Sequence, residues 1–307
     1  MSTMVERSFK YLDERLGTAS LARKTLRKVF PDHWSFLLGE IALFALVVLI
    51  FTGTFLTFFY VPSIKETFYT HFDSYGSYGE GAHVSAAYNS VLRLSFEVRA
   101  GLLMRQTHHW AALVFVAAIV IHLCRVFFTG AFRRPRELNW LIGILLLFLA
   151  LGEGFTGYSL PDDLLSGIGL RIFYAVTLAI PVIGTWATYL LFGGEFPAGD
   201  IISRLFVFHV MLLPALLLGL VGAHIAILVL QKHTQFPGHG RTERNVVGKR
   251  LWPEQTFKSV SLLLFVTAVL AFLGGIAQIN PIWQYGPFEP FNVTSPAQPD
   301  WYIGFLD

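Results

Sequence analysis

The sequence predicts an all-α integral membrane protein. Four spanning helices form one bundle, at least one further spanning helix follows, and interfacial helices lie between the third and fourth spans. Three observations carry that prediction. Of 307 residues, 54% are hydrophobic and only 14% charged, against about 25% charged in an ordinary soluble domain. Five apolar runs, at about 35–60, 106–130, 138–158, 203–231 and 257–279, each reach the roughly 20 residues that cross a bilayer core. Basic residues gather at alternate ends of those runs. The composition excludes disordered, collagen-like and disulfide-scaffold classes. The one cysteine, Cys124, can form no internal bridge, and no C-x-x-C-H motif occurs. The lipid bilayer is the expected surrounding, and a net charge of +3 gives no reason to expect nucleic acid as a partner.

Residues 1–33 are polar and basic, with Arg7, Lys10, Arg15, Arg23, Lys24, Arg27 and Lys28. They lack the pattern of a cleaved signal peptide and read as an amphipathic cytoplasmic segment. The turn after the second run holds Arg133, Arg134 and Arg136, and the turn after the fourth holds Lys232, Arg241, Arg244, Lys249 and Arg250. The connection 61–105 is poorer in basic residues for its length, and 159–202 contains only Arg171. The positive-inside bias therefore puts the N-terminus and the two basic turns in the cytoplasm, and 61–105, 159–202 and everything after the fifth run outside. Residues 162–192 are apolar but interrupted by Pro181 and several glycines, which fits two short surface helices better than another span. The chain divides into an N-terminal segment, 1–33, and a bundle, 34–235, whose outer-side interfacial helices occupy 162–195. The connection, fifth helix and terminal segment make up 236–307.

Histidine is costly in lipid, yet several of the ten histidines lie inside apolar runs. In the second run His108 and His122 are 14 residues apart. That is about 40° short of four helical turns, with a rise of about 21 Å, so both face one side, one near each leaflet. In the fourth run His209 and His224 are 15 apart, about 60° past four turns. Pro214 between them can absorb the extra residue as a kink or wide turn. Both runs descend from outside to inside, so His108 meets His209 at the outer level and His122 meets His224 at the inner level. Two bis-histidine pairs across a bundle core are what two low-spin haem irons need as axial ligands. A single membrane histidine is more often a packing residue or proton site; four in this arrangement are not. His109 is a competing ligand, but its spacing to His122 turns it about 140° away. Gly39 and Gly53 in the first run, and Gly143 and Gly157 in the third, repeat the 14-residue spacing. They would let backbone approach a flat porphyrin. Arg105 and Arg125 are placed either to pair with haem propionates or to snorkel to lipid headgroups.

At this point the sequence resembles cytochrome b of the quinol:cytochrome c oxidoreductase, the cytochrome bc complex. The resemblance runs from about Trp34. It rests on the spaced glycines, RQTH opening and IHLCR closing the second run, GYSLP after the third, IPVIG, FVFHVMLLP, GAHI, and PDWY at Pro299–Tyr302. The 15-residue spacing is similar to the cyanobacterial, plastid and some bacterial branches. PDWY in place of the usual PEWY is similar to the actinobacterial branch, which works with menaquinol.

The resemblance implies two non-covalent b-type haems and two quinone sites in a bacterial cell membrane. Quinol would bind outside, near PDWY, GYSLP and the surface helices. One electron would pass to a Rieske iron–sulfur subunit and a c-type cytochrome subunit. The other would pass through the outer haem (His108, His209) and the inner haem (His122, His224) to a cytoplasmic-side quinone. A homodimer, and a supercomplex with a terminal oxidase, are implied in the same way. Asp300 is the candidate base, placed by Pro299 and followed by Trp301 and Tyr302; Tyr158 is a second outer-site candidate. Without the resemblance the same segment reads as an interfacial aromatic belt with a solvated Asp. At the inner site relatives use a histidine after the fourth helix and an acid near the start of the fifth. The candidates here are His233, Ser259 at the aligned acid position, and Glu254, with Trp34 and Ser35 as further contributors. The tyrosine- and glycine-rich stretch between Phe68 and Tyr88 is either a partner contact or a solvated insertion. Family chains continue for about three helices beyond PDWY, which makes this one an expected part of a longer protein. The alternatives are a dihaem cytochrome b anchor of another quinone-linked dehydrogenase and a haem-free transporter or scaffold.

Overall fold

The computed structural model describes residues 4–69, 83–242, 245–295 and 297–304. Most of the stretch between Phe68 and Tyr88, and Arg244, lie outside the described residues. Two amphipathic helices, α1 (Met4–Leu16) and α2 (Thr18–Leu26), lead into strand β1 (Val29–Pro31). His33 then caps a single tight turn, Trp34–Leu37, its Nδ1 accepting from Ser35 N at 3.2 Å. Five helical segments are long and apolar enough to cross a membrane. They are α3 (Leu38–Thr57), α5 (Gly101–Phe128), α6 (Glu137–Ser159), the composite α9 (Ile201–Val207) to α10 (Leu213–Gln231), and α11 (Thr256–Ile276).

The short elements connect these. Strands β2 (Glu66–Phe68) and β3 (His83–Ser85) pair antiparallel, and Ser85 caps α4 (Ala86–Phe96) by accepting from Tyr88 N. After α6 come α7 (Leu164–Leu178) and α8 (Gly184–Phe192), the two short helices expected in 162–195. Asp163 and Ser166 form a reciprocal capping box at the start of α7, which satisfies two otherwise unpaired backbone N–H groups. Strand β4 (Gly248–Arg250) precedes α11, and α12 (Ile282–Tyr285) follows it.

Two boundaries differ from the apolar runs for a physical reason. α5 begins five residues before its run because its polar opening is buried in protein rather than placed in water. Gln106 exchanges hydrogen bonds with the Ile279 carbonyl and amide at 2.9 and 2.8 Å, and Trp110 Nε1 donates to the Ala277 carbonyl at 2.8 Å. The same bonds draw the chain off α11, which ends at Ile276 with Ala277 extended. The extra residue between His209 and His224 is taken up by a wide π-type turn, Phe208–Leu212, just before Pro214. Pro214 has no N–H for the ordinary ladder, so the helix can widen there at little cost.

The core lies where α3, α5 and α6 meet, around Ala45, Leu46, Phe115, Val116 and Ala150. α11 closes on α5 through Gly274, where a Cβ would collide with Thr107. By contrast α10 buries only Leu217. At one end of the bundle β1 pairs with β4 (Val29 with Arg250, Pro31 with Gly248), and a Cβ on Gly248 would strike the Phe30 carbonyl. At the other end α7 holds the terminal segment: Leu164 N donates to the Gly286 carbonyl at 2.9 Å and Phe288 N to the Asp162 carbonyl at 3.0 Å. These two clasps set the walls of the two cavities described next.

Candidate functional site

The rings of His108 and His209 face each other across the bundle, 6.2 Å between centres and inclined at 75°. Those of His122 and His224 are 6.5 Å apart, also at 75°. A metal bonded to one nitrogen of each imidazole at about 2.0–2.1 Å would set the ring centres roughly 6.3 Å apart. Each pair thus matches an ion that arrives with its remaining ligands already in place. Among the described residues no cluster of three or more His, Cys, Asp or Glu could hold a bare metal ion.

The outer rings are fixed in one tautomer. Thr52 Oγ1 donates to the Val48 carbonyl at 2.7 Å and so accepts from His108 Nδ1–H at 2.9 Å. His209 Nδ1–H donates to the Glu153 carbonyl at 3.0 Å. With Nδ1 protonated, the Nε2 lone pair of each ring is free for a metal. Each of the four rings has a glycine beside it on a helix that carries none of them. An added Cβ would lie 3.1 Å from His108 Cε1 at Gly53, 3.3 Å from His122 Cε1 at Gly39 and 3.8 Å from His224 Cε1 at Gly143. At Gly157 it would collide with the His209 ring. The donor sets and these side-chain-free walls fit two haems.

Both arginine guanidinium groups make contacts within the protein. Arg105 is buried; its Nη2 donates to the Asn280 carbonyl at 3.1 Å and its guanidinium sits 5.6 Å from the centre of the Trp283 ring. The Arg125 guanidinium lies 4.1 Å over the Phe36 ring. Both keep a buried Nε without a hydrogen-bond partner. A buried orphan N–H is costly, and an anionic group on a bound ligand would relieve it.

At the outer level a cavity of about 460 Å³ is lined by His108, His109, His209, Glu153, Tyr158, Asp300 and Tyr302, among others. His109 Nε2 lies 2.8 Å from both Asp300 carboxylate oxygens, with the two side chains only 16% and 10% exposed. Tyr302 OH donates to Asp300 Oδ2 at 3.2 Å. Burial, then the Asp300 carboxylate, push the Tyr302 phenol well above its ordinary range, so it remains a donor. Its ring rests on α6 at Gly154, where a Cβ would collide with it. Tyr158 also faces the cavity, its hydroxyl donating to the Leu165 carbonyl at 3.1 Å. Pro299 and Trp301, expected to bind quinone, are not in the wall. The turn at 300–304 is closed by Ile303 and Gly304 amides on the Asp300 carbonyl. It turns Asp300 and Tyr302 inward and leaves Trp301 56% exposed.

At the inner level a larger cavity, about 660 Å³, is lined by Phe30, Asp32, His33, Trp34, Phe36, Glu40, His233, Gln255 and Lys258, among others. His233 takes part as expected. Burial, then Lys28, Arg125 and Arg136, hold its imidazole down to about 4, so it is neutral near pH 7. Ser35 is buried against His33. Ser259 stands behind the wall, donating to Glu40 Oε2 at 2.7 Å. Glu254 is a correction: it is exposed, outside the cavity, and its carboxylate accepts from Arg250 N at 3.3 Å at the foot of α11. The wide turn Leu251–Gln255 that starts this helix swings it away.

Sequence reasoning missed three residues of these walls. From the sequence His109 reads only as a rival metal ligand; the rotation that removes it from that role is what aims it at Asp300. Glu153 and Glu40 each stand as lone carboxylates in apolar runs beside glycine, which is the sequence signal that marks them.

The family model described as Cytochrome b(N-terminal)/b6/petB matches residues 113–287. A cytochrome bc1 complex cytochrome b subunit from Mycobacterium tuberculosis is 54% identical over 303 residues, 98% of this chain and 54% of that protein. The protein of the same description from Streptomyces coelicolor is 51% identical over 304 residues, 98% of this chain and 55% of its own length. That from Corynebacterium diphtheriae is 52% identical over 298 residues, 96% and 54%. The chain therefore spans about half the length of the curated relatives it matches. A solved chain of a hyperthermophilic respiratory Complex III shares the fold, with a TM-score of 0.76 at 23% identity, covering 96% of this chain and 74% of that one. With more than half of its length matched by the family model, the chain belongs to the cytochrome b (N-terminal)/b6 family.

Proposed function

We propose that the chain is the dihaem cytochrome b subunit of a respiratory bc complex, oxidising quinol at an outer site and reducing quinone at a cytoplasmic-side site. The observation that carries this reading is the pair of facing histidine couples, each beside glycine-lined helix, with Asp300 next to the outer one. Two b-type haems, held by His108 and His209 and by His122 and His224, would supply one-electron chemistry across the membrane. Arg105 and Arg125 would pair with their propionates.

The chain's own groups do the rest. Asp300 takes a proton from the quinol hydroxyl; His109 and Tyr302 fix its carboxylate in the outer cavity. Asp is one methylene shorter than Glu, and the two hydrogen bonds hold the shorter arm in one place. Tyr158 and the start of α7 wall the quinol in. His233 and the aromatic residues around it receive quinone at the inner cavity. The reading implies a Rieske iron–sulfur partner, a c-type cytochrome, a terminal oxidase in a supercomplex, a homodimer and a bacterial cell membrane with the N-terminus inside. Menaquinol is the substrate the actinobacterial resemblance favours.

The test uses membranes holding the complete complex. A reduced-minus-oxidised spectrum should show b-type haem. Asp300→Asn should slow quinol oxidation about 100-fold or more while slowing quinone reduction far less. Absence of the b-type band, or equal slowing of both half-reactions, refutes the reading.

A further inference from the structure

The inner cavity holds a carboxylate that the expected positions do not supply. Glu40, on α3 next to Gly39, reaches its wall and is gripped on one oxygen from the wide turn before α11 and on the other from α11 itself. Gln255 Nε2 donates to Oε1 at 3.0 Å and Ser259 Oγ to Oε2 at 2.7 Å. The other carboxylate in the wall, Asp32, is engaged by Lys258 and, at 3.6 Å, by Lys249. Glu40 has no such partner: among the described residues no Lys, Arg or His lies within ion-pairing distance of it. Two neutral donors occupy only part of the acceptor capacity of a carboxylate, so it retains lone pairs for a further hydrogen bond. The same cavity contains His233, whose Nδ1 is buried without a partner. Phe30 packs 4.5 Å from the His233 ring, and Phe36 6.2 Å from it. Aromatic walls with unspent polar groups from separate elements suit a flat ring carrying oxygen atoms.

We propose that Glu40 is the residue that binds a headgroup oxygen of the inner-level quinone, with Ser259 on α11 and Gln255 at its N-cap positioning its carboxylate. The inference rests on the inner-site reading above and adds a residue that reading did not contain. Ser259 keeps a role, as the group that orients the acid, and Glu254 has none. The chemistry suits both members of the couple: ionised Glu40 accepts from a quinol hydroxyl, and protonated Glu40 donates to a quinone carbonyl. A carboxylate held by two neutral donors stays beside the headgroup instead of being drawn into a salt bridge, as Asp32 is.

The experiment uses the complete complex carrying Asp300→Asn, so that the outer site is slow, with haems prereduced. Their re-oxidation by added short-chain naphthoquinone is followed optically. Glu40→Gln should slow re-oxidation about tenfold or more, the loss expected for a hydrogen bond to a charged group, with haem content unchanged. Moving the acid to the other helix, Glu40→Ser with Ser259→Glu, should recover most of that rate, which a packing role would not allow. A Glu40→Gln rate equal to the parent, or a swap no better than Glu40→Ser alone, overturns the inference. Should Glu40→Gln lose haem, Ser259→Ala carries the test: a several-fold rise in the naphthoquinone KM supports the inference and an unchanged KM overturns it. If the parent complex is not re-oxidised by naphthoquinone at all, the inner-site reading itself falls, and this inference with it.

Discussion

Replacing Gly157 by Ala should empty the outer haem position, whereas replacing Gly143 by Ala should not. At Gly157 the added Cβ would stand 2.9 Å from His209 Nε2 and 3.0 Å from Nδ1, and closer still to Cε1. Comfortable carbon contacts begin at about 3.5 Å, so the ring would have to retreat on the order of 1 Å. Metal–ligand bonds tolerate only about 0.2 Å, and the 3.0 Å bond from His209 Nδ1 to the Glu153 carbonyl would stretch beyond hydrogen-bonding range. The helix itself gains up to about 1 kcal/mol from Gly→Ala. Overpacking costs about 1–3 kcal/mol and the ligand bond is lost in addition, so the net effect falls on haem retention. At Gly143 the nearest atoms would be Leu123 Cδ2 at 3.5 Å and His224 Cε1 at 3.8 Å, ordinary contacts. Gly53 and Gly39, at 3.1 and 3.3 Å from their rings, should fall between. Haem per chain, measured as pyridine haemochrome on the purified complex, should drop from two to one in Gly157→Ala and stay at two in Gly143→Ala. Equal loss in both variants, or the reverse order, would refute the steric reasoning.

Other consequences follow from the cavity walls. His109→Leu leaves Tyr302 as the remaining side-chain hydrogen-bond partner of the Asp300 carboxylate among the described residues; quinol oxidation should slow about tenfold or more with both haems retained, and an unchanged rate would remove His109 from the site. His233 is held down to about 4, against 6.5 for a free imidazole. The folded chain therefore binds fewer protons than the unfolded one between those values, and stability rises with pH across that window. Acidifying from pH 6.5 to 4 should cost about 3 kcal/mol through this residue. In His233→Gln that part of the acid sensitivity should disappear from unfolding measured against pH; an identical pH profile would contradict the assignment.

Much of this architecture could be read along the chain because it depends on local arithmetic. A spacing of 14 residues brings two side chains to one face of a helix wherever that helix sits, so the depths and faces of His108 and His122, and the matching glycines, follow from sequence alone. The five spans follow from run length, and the wide turn near Pro214 from one residue too many between His209 and His224. The outer carboxylate was legible through PDWY, a contiguous motif. The partners that shape both cavities were not, because each joins residues far apart in sequence: His109 to Asp300, Glu153 to His209, Glu40 to Ser259, and Arg105 to the segment after α11. Helical periodicity states where a side chain points around its own axis. Only packing, with α11 brought against α5 at Gly274 and the terminal segment clasped by α7, decides what it meets. That is why Glu254 fits the inner site by position along the chain and Glu40 fits it by position in space.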